Sequence, residues 1–252
     1  TTTDIADVSE GSVRIKKEGA NVGGVFTRVQ AAEISTFGIG GDSRIYLDRN
    51  GETEIGPQKV IPLCIAGSEH PELIHEIKSF RRVGDLKTYS AQEADCYMYL
   101  GKKPSKEVTG KDDKIIEKLK ERPHSITYLA KIIGKDPETV DLTPLVEEGV
   151  LARIGVTPTD VLHVQGRYNA WNRQVAYAGI EILAKRREMS VSSFLSDVER
   201  KIKARLAMTC VQAAANFEGE DISVRDSAAA MYILERAFKS KPSYIKNPEK
   251  RL

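Results

Sequence analysis

The sequence has no apolar run long enough to cross a bilayer. Its longest, such as Val60 to Gly67 (VIPLCIAG), stop well short of the roughly 20 residues a spanning helix needs. The opening residues, TTTDIADV, carry no secretion leader of charged, apolar and small residues. Cysteine is scarce: Cys64, Cys96 and Cys210 are odd in number, far apart and free of any C-x-x-C. That usage predicts reduced thiols in a cytoplasmic protein and argues against disulfides or a structural zinc. No single sign of charge dominates, since the net charge is +2, so no field marks the chain as a nucleic-acid binder. Also missing are a Gly-Lys-Ser/Thr phosphate loop, a G-x-G-x-x-G run leading into a helix, and any legible Ser-His-Asp or Cys-His nucleophile system. What is present is ordinary for a folded protein: 252 residues, 40% hydrophobic and 29% charged, enough for one large core or two modest domains.

Patterning divides the chain into three stretches. Residues 1–110 are β-rich, with covering helices. "TTTDIADVSEGSVRIKKEG" reads as strand, Ser-Glu-Gly turn, strand, and "SRIYLDRNGETEIG" holds Asn50-Gly51 between two alternating runs, so two hairpins are expected. Helix signals follow between 68 and 103, with Pro71 in a first turn and a Ser90-x-x-Glu93 capping box opening "AQEADCYMYLG". Residues 111–156 give three short helical patterns and then the strand "VLARIG", the order of a winged helix. Its third helix carries Glu138, Asp141, Glu147 and Glu148, which would repel phosphates, so a packing or protein-contact module is expected before a DNA reader. Residues 157–252 are helical, with apolar residues at three- and four-residue spacing, as in Phe194, Leu195, Val198, Ile202 and Leu206, and end in a polar, proline-interrupted tail.

Two turns carry candidate chemistry. Thr1, Thr2, Thr3 and Asp4 offer hydroxyls and a carboxylate that could meet phosphate oxygens and a magnesium-bound water, although threonine is also simply a good strand former. The run "STFGIGGDS" places Gly38, Gly40 and Gly41 before Asp42 and Ser43. Glycine at that density serves either a tight bulge or a backbone that approaches a ligand closely, with its N–H groups free for an anion. In "TPTDVLH", Thr157, Pro158 and Asp160 make a complete helix start, while Thr159, Asp160 and His163 are candidates for substrate or metal contact. His70 and His75 lack a third ligand and read as a solvated helix face.

Three blocks in order, "TTTDIADV", "EGANVGGVFTRVQAAEISTFGIGGDSRIYLD" and "GVTPTDVLHVQG" with Trp171 beyond it, resemble the hydantoinase/oxoprolinase family. The resemblance implies an α/β fold, part of an actin- and Hsp70-like (ribonuclease H-like) ATPase lobe, with the winged-helix-like stretch inserted. It implies ATP and Mg²⁺ as cofactors, a lactam or hydantoin as substrate, an oligomeric state and a partner subunit of the hydantoinase B type. Thr1, Thr2, Thr3 and Asp4 match the second half of a phosphate loop, with Asp4 holding a metal through water. Gly38, Gly40, Gly41 and Ser43 match a Gly-x-Gly-Gly-Gly-Ser pattern in which Asp42 replaces a glycine, which leaves a metal or substrate role open for Asp42. The family's first phosphate loop and a later Gly-rich block have no counterpart, so an interior fragment is expected. A non-enzymatic nucleotide-sensing or DNA-binding module is the alternative, and no membrane partner is expected.

Overall fold

A computed structural model describes residues 2–16, 20–22, 25–27, 30–79, 93–105, 110–219 and 233. Thr1, Ser90 and the tail from Lys239 onward, all drawn on above, lie outside these residues. The chain forms two compact units, residues 1–39 with 199–252, and residues 40–198. Each is described separately.

The first unit begins as an antiparallel ladder. Strands β1 (Thr3–Ala6), β2 (Val8–Ser9), β3 (Ser12–Val13) and β4 (Ile15–Lys16) run out, β5 (Ala20–Val22) and β6 (Val25–Thr27) pair with each other, and β7 (Ala31–Ala32) and β8 (Ile34–Phe37) run back. The expected Ser-Glu-Gly turn joins β2 to β3, with Glu10 and Gly11 at φ 51° and 78°, the left-handed pair that a tight two-residue hairpin requires. β2 and β3 pair across it, in the register Val8↔Val13 and Ser9↔Ser12, but the strands outside them take other partners: β1 pairs with β8, in the register Thr3↔Phe37 and Asp4↔Thr36, and β4 pairs with β7. A small apolar cluster closes the unit, with Phe37 and Ile39 against Ala213 of the long helix below and Ile5 and Phe217 packed beside them. Arg14 ties ladder to helix. Its Nη1 donates to the Phe217 carbonyl at 2.9 Å, a cation at a helix C-terminus, and its Nε lies 3.4 Å from Glu33.

The second unit contains the predicted second hairpin. Strands β9 (Ser43–Leu47) and β10 (Thr53–Lys59) pair antiparallel around Asn50-Gly51, with Gly51 at φ 76°. Asp48 fixes this turn by accepting from the N–H groups of Asn50 and Glu52, both at 2.8 Å. A sheet of β11 (Ile61–Pro62), β12 (Cys96–Tyr99), β13 (His124–Ser125) and β14 (Leu151–Gly155) has the order β11-β14-β12-β13, with β11 parallel to β14 and the other pairs antiparallel. Here one expectation is overturned: Cys96–Tyr99 is a strand rather than part of a capped helix. Local helix signals lose because the segment is paired on both sides, by β14 and β13, and because Cys96 and Tyr97 are buried there.

Helices α1 (Leu63–Glu69), α2 (Leu73–Lys78), α3 (Lys111–Glu121), α4 (Ile126–Ile132), α5 (Thr143–Glu147), α6 (Pro158–Val164) and α7 (Arg173–Arg186) complete the unit, and α8 (Val191–Phe217) runs from it into the first. The third helical pattern of 111–156 is broken. A single 3-10 turn at Pro137–Thr139, capped by Asp136, is followed by the non-helical residues 140–142 and then α5. These pieces enclose a core of Ile115, Leu119, Ile126, Leu129, Leu142 and Leu151. After β14 the chain passes directly into α6. Helices α1 and α7 meet through glycine: a Cβ at Gly67 would lie 2.6 Å from Val175 Cβ, and one at Gly179 would lie 2.3 Å from Leu63 Cδ1. Only hydrogen fits at these crossings, which sets the depth at which α7 packs.

Candidate functional site

In the first unit the amino-end strand lies beside the entrance to the glycine run. With Thr3 opposite Phe37, the Thr3 hydroxyl donates to the Ile39 carbonyl at 2.8 Å. Thr2 and Asp4 are exposed, and the Thr2 hydroxyl donates to Asp4 Oδ2 at 3.2 Å, so a free carboxylate edge and a hydroxyl stand together on the surface. Gly38 has an ordinary φ, and a Cβ there would meet nothing within 4 Å among the described residues. Neither strain nor packing therefore asks for glycine at 38.

The unit boundary falls between Ile39 and Gly40, and the rest of the run is built differently. Ser43 is fully buried and turns its hydroxyl inward, where Oγ accepts from Gly40 N–H at 2.9 Å while Ser43 N–H donates to the Gly40 carbonyl at 3.1 Å. The Asp42 carbonyl accepts from Val60 N–H at 2.9 Å and starts the β9–β10 ladder. Gly41 has a packing reason to be glycine: its carbonyl accepts from both the hydroxyl (2.7 Å) and the N–H (3.1 Å) of Thr159, and a Cβ would lie 2.8 Å from Thr159 Oγ1. At this position the backbone makes its close approach to a threonine of α6.

Thr159 belongs to a tightly bonded helix start. Thr157 caps α6 in a reciprocal capping box with Asp160, and Pro158 takes the first helical position. Asp160 does more than cap its own helix. Fully buried, it accepts from Thr157 N–H (2.9 Å), Thr157 Oγ1 (2.7 Å), Leu63 N–H (3.2 Å) and Cys64 N–H (2.7 Å), and so also caps α1. Burial pushes its carboxyl above the ordinary value, against the pull of these hydrogen bonds. Burial, and then the Asp160 carboxylate, push the Cys64 thiol well up, which removes Cys64 as a thiolate nucleophile. One turn on, His163 is buried with Nδ1 2.8 Å from the Thr159 carbonyl, while Nε2 accepts from Trp171 N–H at 3.2 Å. A carbonyl at one nitrogen and a donor at the other fix the neutral tautomer with its proton on Nδ1. The ring stacks on Trp171 and meets Tyr168 edge-on. The second unit thus links Gly41, Thr159 and His163 through hydrogen bonds, while Asp160, next in sequence to Thr159, bonds Thr157, Leu63 and Cys64.

One polar cluster escaped the sequence reading. Arg44, buried in β9, places Nη2 2.5 Å from Asp95 Oδ2, and Arg153 of β14 holds Nε 3.8 Å from the same oxygen. Gln58 Oε1 accepts from both guanidinium groups, at 3.0 and 3.1 Å. Arg153 also donates to Tyr97 Oη at 3.2 Å, and burial, together with Asp95, pushes that phenol up to about 12. The legible signal was a charge inside each of the otherwise apolar runs "SRIYL" and "VLARIG".

No resident metal cluster of three or more His, Cys, Asp or Glu side chains is present among the described residues. A magnesium ion arriving with a phosphate needs only one carboxylate and keeps several waters, and the exposed Asp4 with the Thr2 hydroxyl has the hard oxygen donors for that. No helix among the described residues is long and apolar enough to cross a membrane.

Antiparallel ladders, a mixed sheet and covering helices define an α/β protein. Residues 1–148 match the family model for hydantoinase/oxoprolinase, more than half of the chain, and the protein belongs to that family. Membership points to hydrolysis of cyclic amides. The match takes in both candidate turns and ends before α6. No curated protein and no solved structure matches the chain.

Proposed function

We propose that the full-length protein is an ATP-dependent cyclic amidase that opens a lactam or hydantoin ring. ATP donates its γ-phosphoryl group to the amide oxygen, a first water adds to the activated ring carbon, the C–N bond breaks with the nitrogen taking a proton to leave an acyl phosphate, and a second water attacks the acyl carbon so that phosphate leaves with the original carbonyl oxygen. Thr2 and Asp4 would hold the Mg²⁺, with Asp4 acting through a bound water, and the ion would neutralise phosphate charge. Thr3, bonded to the Ile39 carbonyl, fixes the end of β1 beside Gly38, whose N–H would face the anion. In the second unit Thr159 and Asp160 position the Gly41 end of the run. The observation that carries the reading is the Thr3↔Phe37 register, which sets the acid- and hydroxyl-bearing strand next to the start of the glycine run within the family-matched residues. An actin- and Hsp70-like fold, a winged-helix-like role for 111–156, a cytoplasmic location, and an oligomer with a hydantoinase B type partner belong to the same proposal. The test is phosphate release from ATP with and without a lactam or hydantoin. Release is expected only with the ring compound, and ring-independent release, or none across such compounds, would overturn the proposal.

A further inference from the structure

We propose that a polar pocket of the second unit binds a free α-amino acid as its zwitterion, with Arg153 taking the carboxylate and Asp141 the ammonium group. The pocket has a volume of about 330 Å³. That is near the lower end of ligand-site volumes, roughly 300–1,000 Å³, and suits a small metabolite better than a nucleotide. Its walls include Arg153, Asp141, Thr143 and Tyr97, with Ile126 and Leu142 as an apolar floor.

Arg153 is held ready. Its Nε donates to Tyr97 Oη and its Nη1 to Gln58 Oε1, and the guanidinium lies over the Tyr97 ring at 5.5 Å. Nη2 has no such tie among the described residues. Asp95 does not cancel this charge, because it is bound closely to Arg44 at 2.5 Å and stands 3.8 Å from Arg153. A fixed guanidinium with one free nitrogen is a preorganised donor for a carboxylate oxygen.

On another part of the lining, Asp141 accepts the Thr143 N–H at 2.9 Å through Oδ1 and is itself exposed. That hydrogen bond, and then the Arg153 charge, hold its carboxyl below the ordinary range, so it is ionised at neutral pH. A simple anion would be drawn to Arg153 and repelled by Asp141 and by Glu138 on the same wall. A simple cation would meet the converse. Only a ligand with both charges, set a few bonds apart, satisfies the two ends, and the apolar floor accepts an aliphatic side chain. The pocket uses none of the residues assigned to phosphoryl transfer, so it stands or falls independently of that reading.

The test is titration calorimetry of the full chain with a panel of L-amino acids. L-Leucine is accompanied by its two half-molecules, 4-methylpentanoate and 3-methylbutylamine. At least one amino acid should bind, with its half-molecules at least tenfold weaker, and Asp141→Asn should weaken binding about tenfold or more while thermal unfolding stays unchanged. Arg153→Met should abolish binding; if that variant fails to fold, Asp141→Asn decides alone. Absence of binding across the panel, a half-molecule binding as tightly as the amino acid, or undiminished binding by folded Asp141→Asn would each overturn the proposal.

Discussion

Glu76→Gln should destabilise the second unit by roughly 2–4 kcal/mol at neutral pH, and the loss should vanish in acid. Glu76 lies on α2, and its two oxygens are fully engaged: Oε1 accepts from Arg122 Nη2 (2.7 Å) and sits 2.8 Å from His124 Nδ1, and Oε2 accepts from Ser125 N–H (2.8 Å). The side chain is 12% exposed, so solvent screens it little. Burial works to raise its pKa, but the hydrogen bonds from His124, Ser125 and Arg122 prevail and bring it from 4.5 to about 2. A shift of that size is worth on the order of 3 kcal/mol at about 1.4 kcal/mol per unit. Because the folded value is depressed, this stability is present above the unfolded pKa near 4.5 and is lost as pH falls through about 2. Glutamine can keep Arg122 and His124 on its carbonyl, but its NH₂ then faces Ser125 N–H, leaving a donor without an acceptor. Urea unfolding of both forms measures the effect, with the midpoints well apart at pH 7 and converging as pH falls from 4.5 toward 2. Equal midpoints at pH 7, or a gap that does not narrow in acid, would refute the reasoning.

Other outcomes follow from the same geometry. Asp160→Ala removes the shared cap of α1 and α6 and leaves the Leu63 and Cys64 N–H groups unpaired, so a loss of about 3–5 kcal/mol is expected in chemical unfolding. Gly67→Ala forces a Cβ to within 2.6 Å of Val175 Cβ and should cost about 1–3 kcal/mol in the same assay. Gly41→Ala should displace Thr159, breaking its two bonds to the Gly41 carbonyl, and lower stability by about 1–3 kcal/mol by thermal unfolding. Thiol labelling of the native protein should modify exposed Cys210 quickly and buried Cys64 and Cys96 only on unfolding.

Hairpins and caps were legible because their causes are local. Gly51 and the Glu10-Gly11 pair take left-handed backbone, and Thr157-Pro158-x-Asp160 can satisfy a helix start from its own side chains. Non-local pairings were not legible. Nothing in "TTTDIADV" says that β1 pairs with β8, with Thr3 opposite Phe37 and Ala6 opposite Ile34, rather than across its own nearby turn, and only pairing to β13 and β14 turns "CYMY" from helix to strand. The glycine run shows both sides of this limit. Its density pointed to a bulge or to a ligand approached by the backbone, whereas the group met at Gly41 is Thr159, which arrives from 118 positions along the chain. Asp160 read as a capping residue and as a candidate substrate or metal contact, and its cap on α1 was not legible because it depends on α1 lying against α6. The Arg44–Asp95–Arg153 cluster carried only the generic signal of charges within apolar runs, and their common destination is set by the sheet.

The most direct test of the proposed reaction follows the carbonyl oxygen of a ring substrate labelled with ¹⁸O. If ATP phosphorylates the amide oxygen before water adds, the label should be recovered in inorganic phosphate, and Asp4→Ala should abolish that transfer while the protein stays folded. Ring opening that leaves all the label in the product carboxylate, or transfer undiminished without Asp4, would contradict the account.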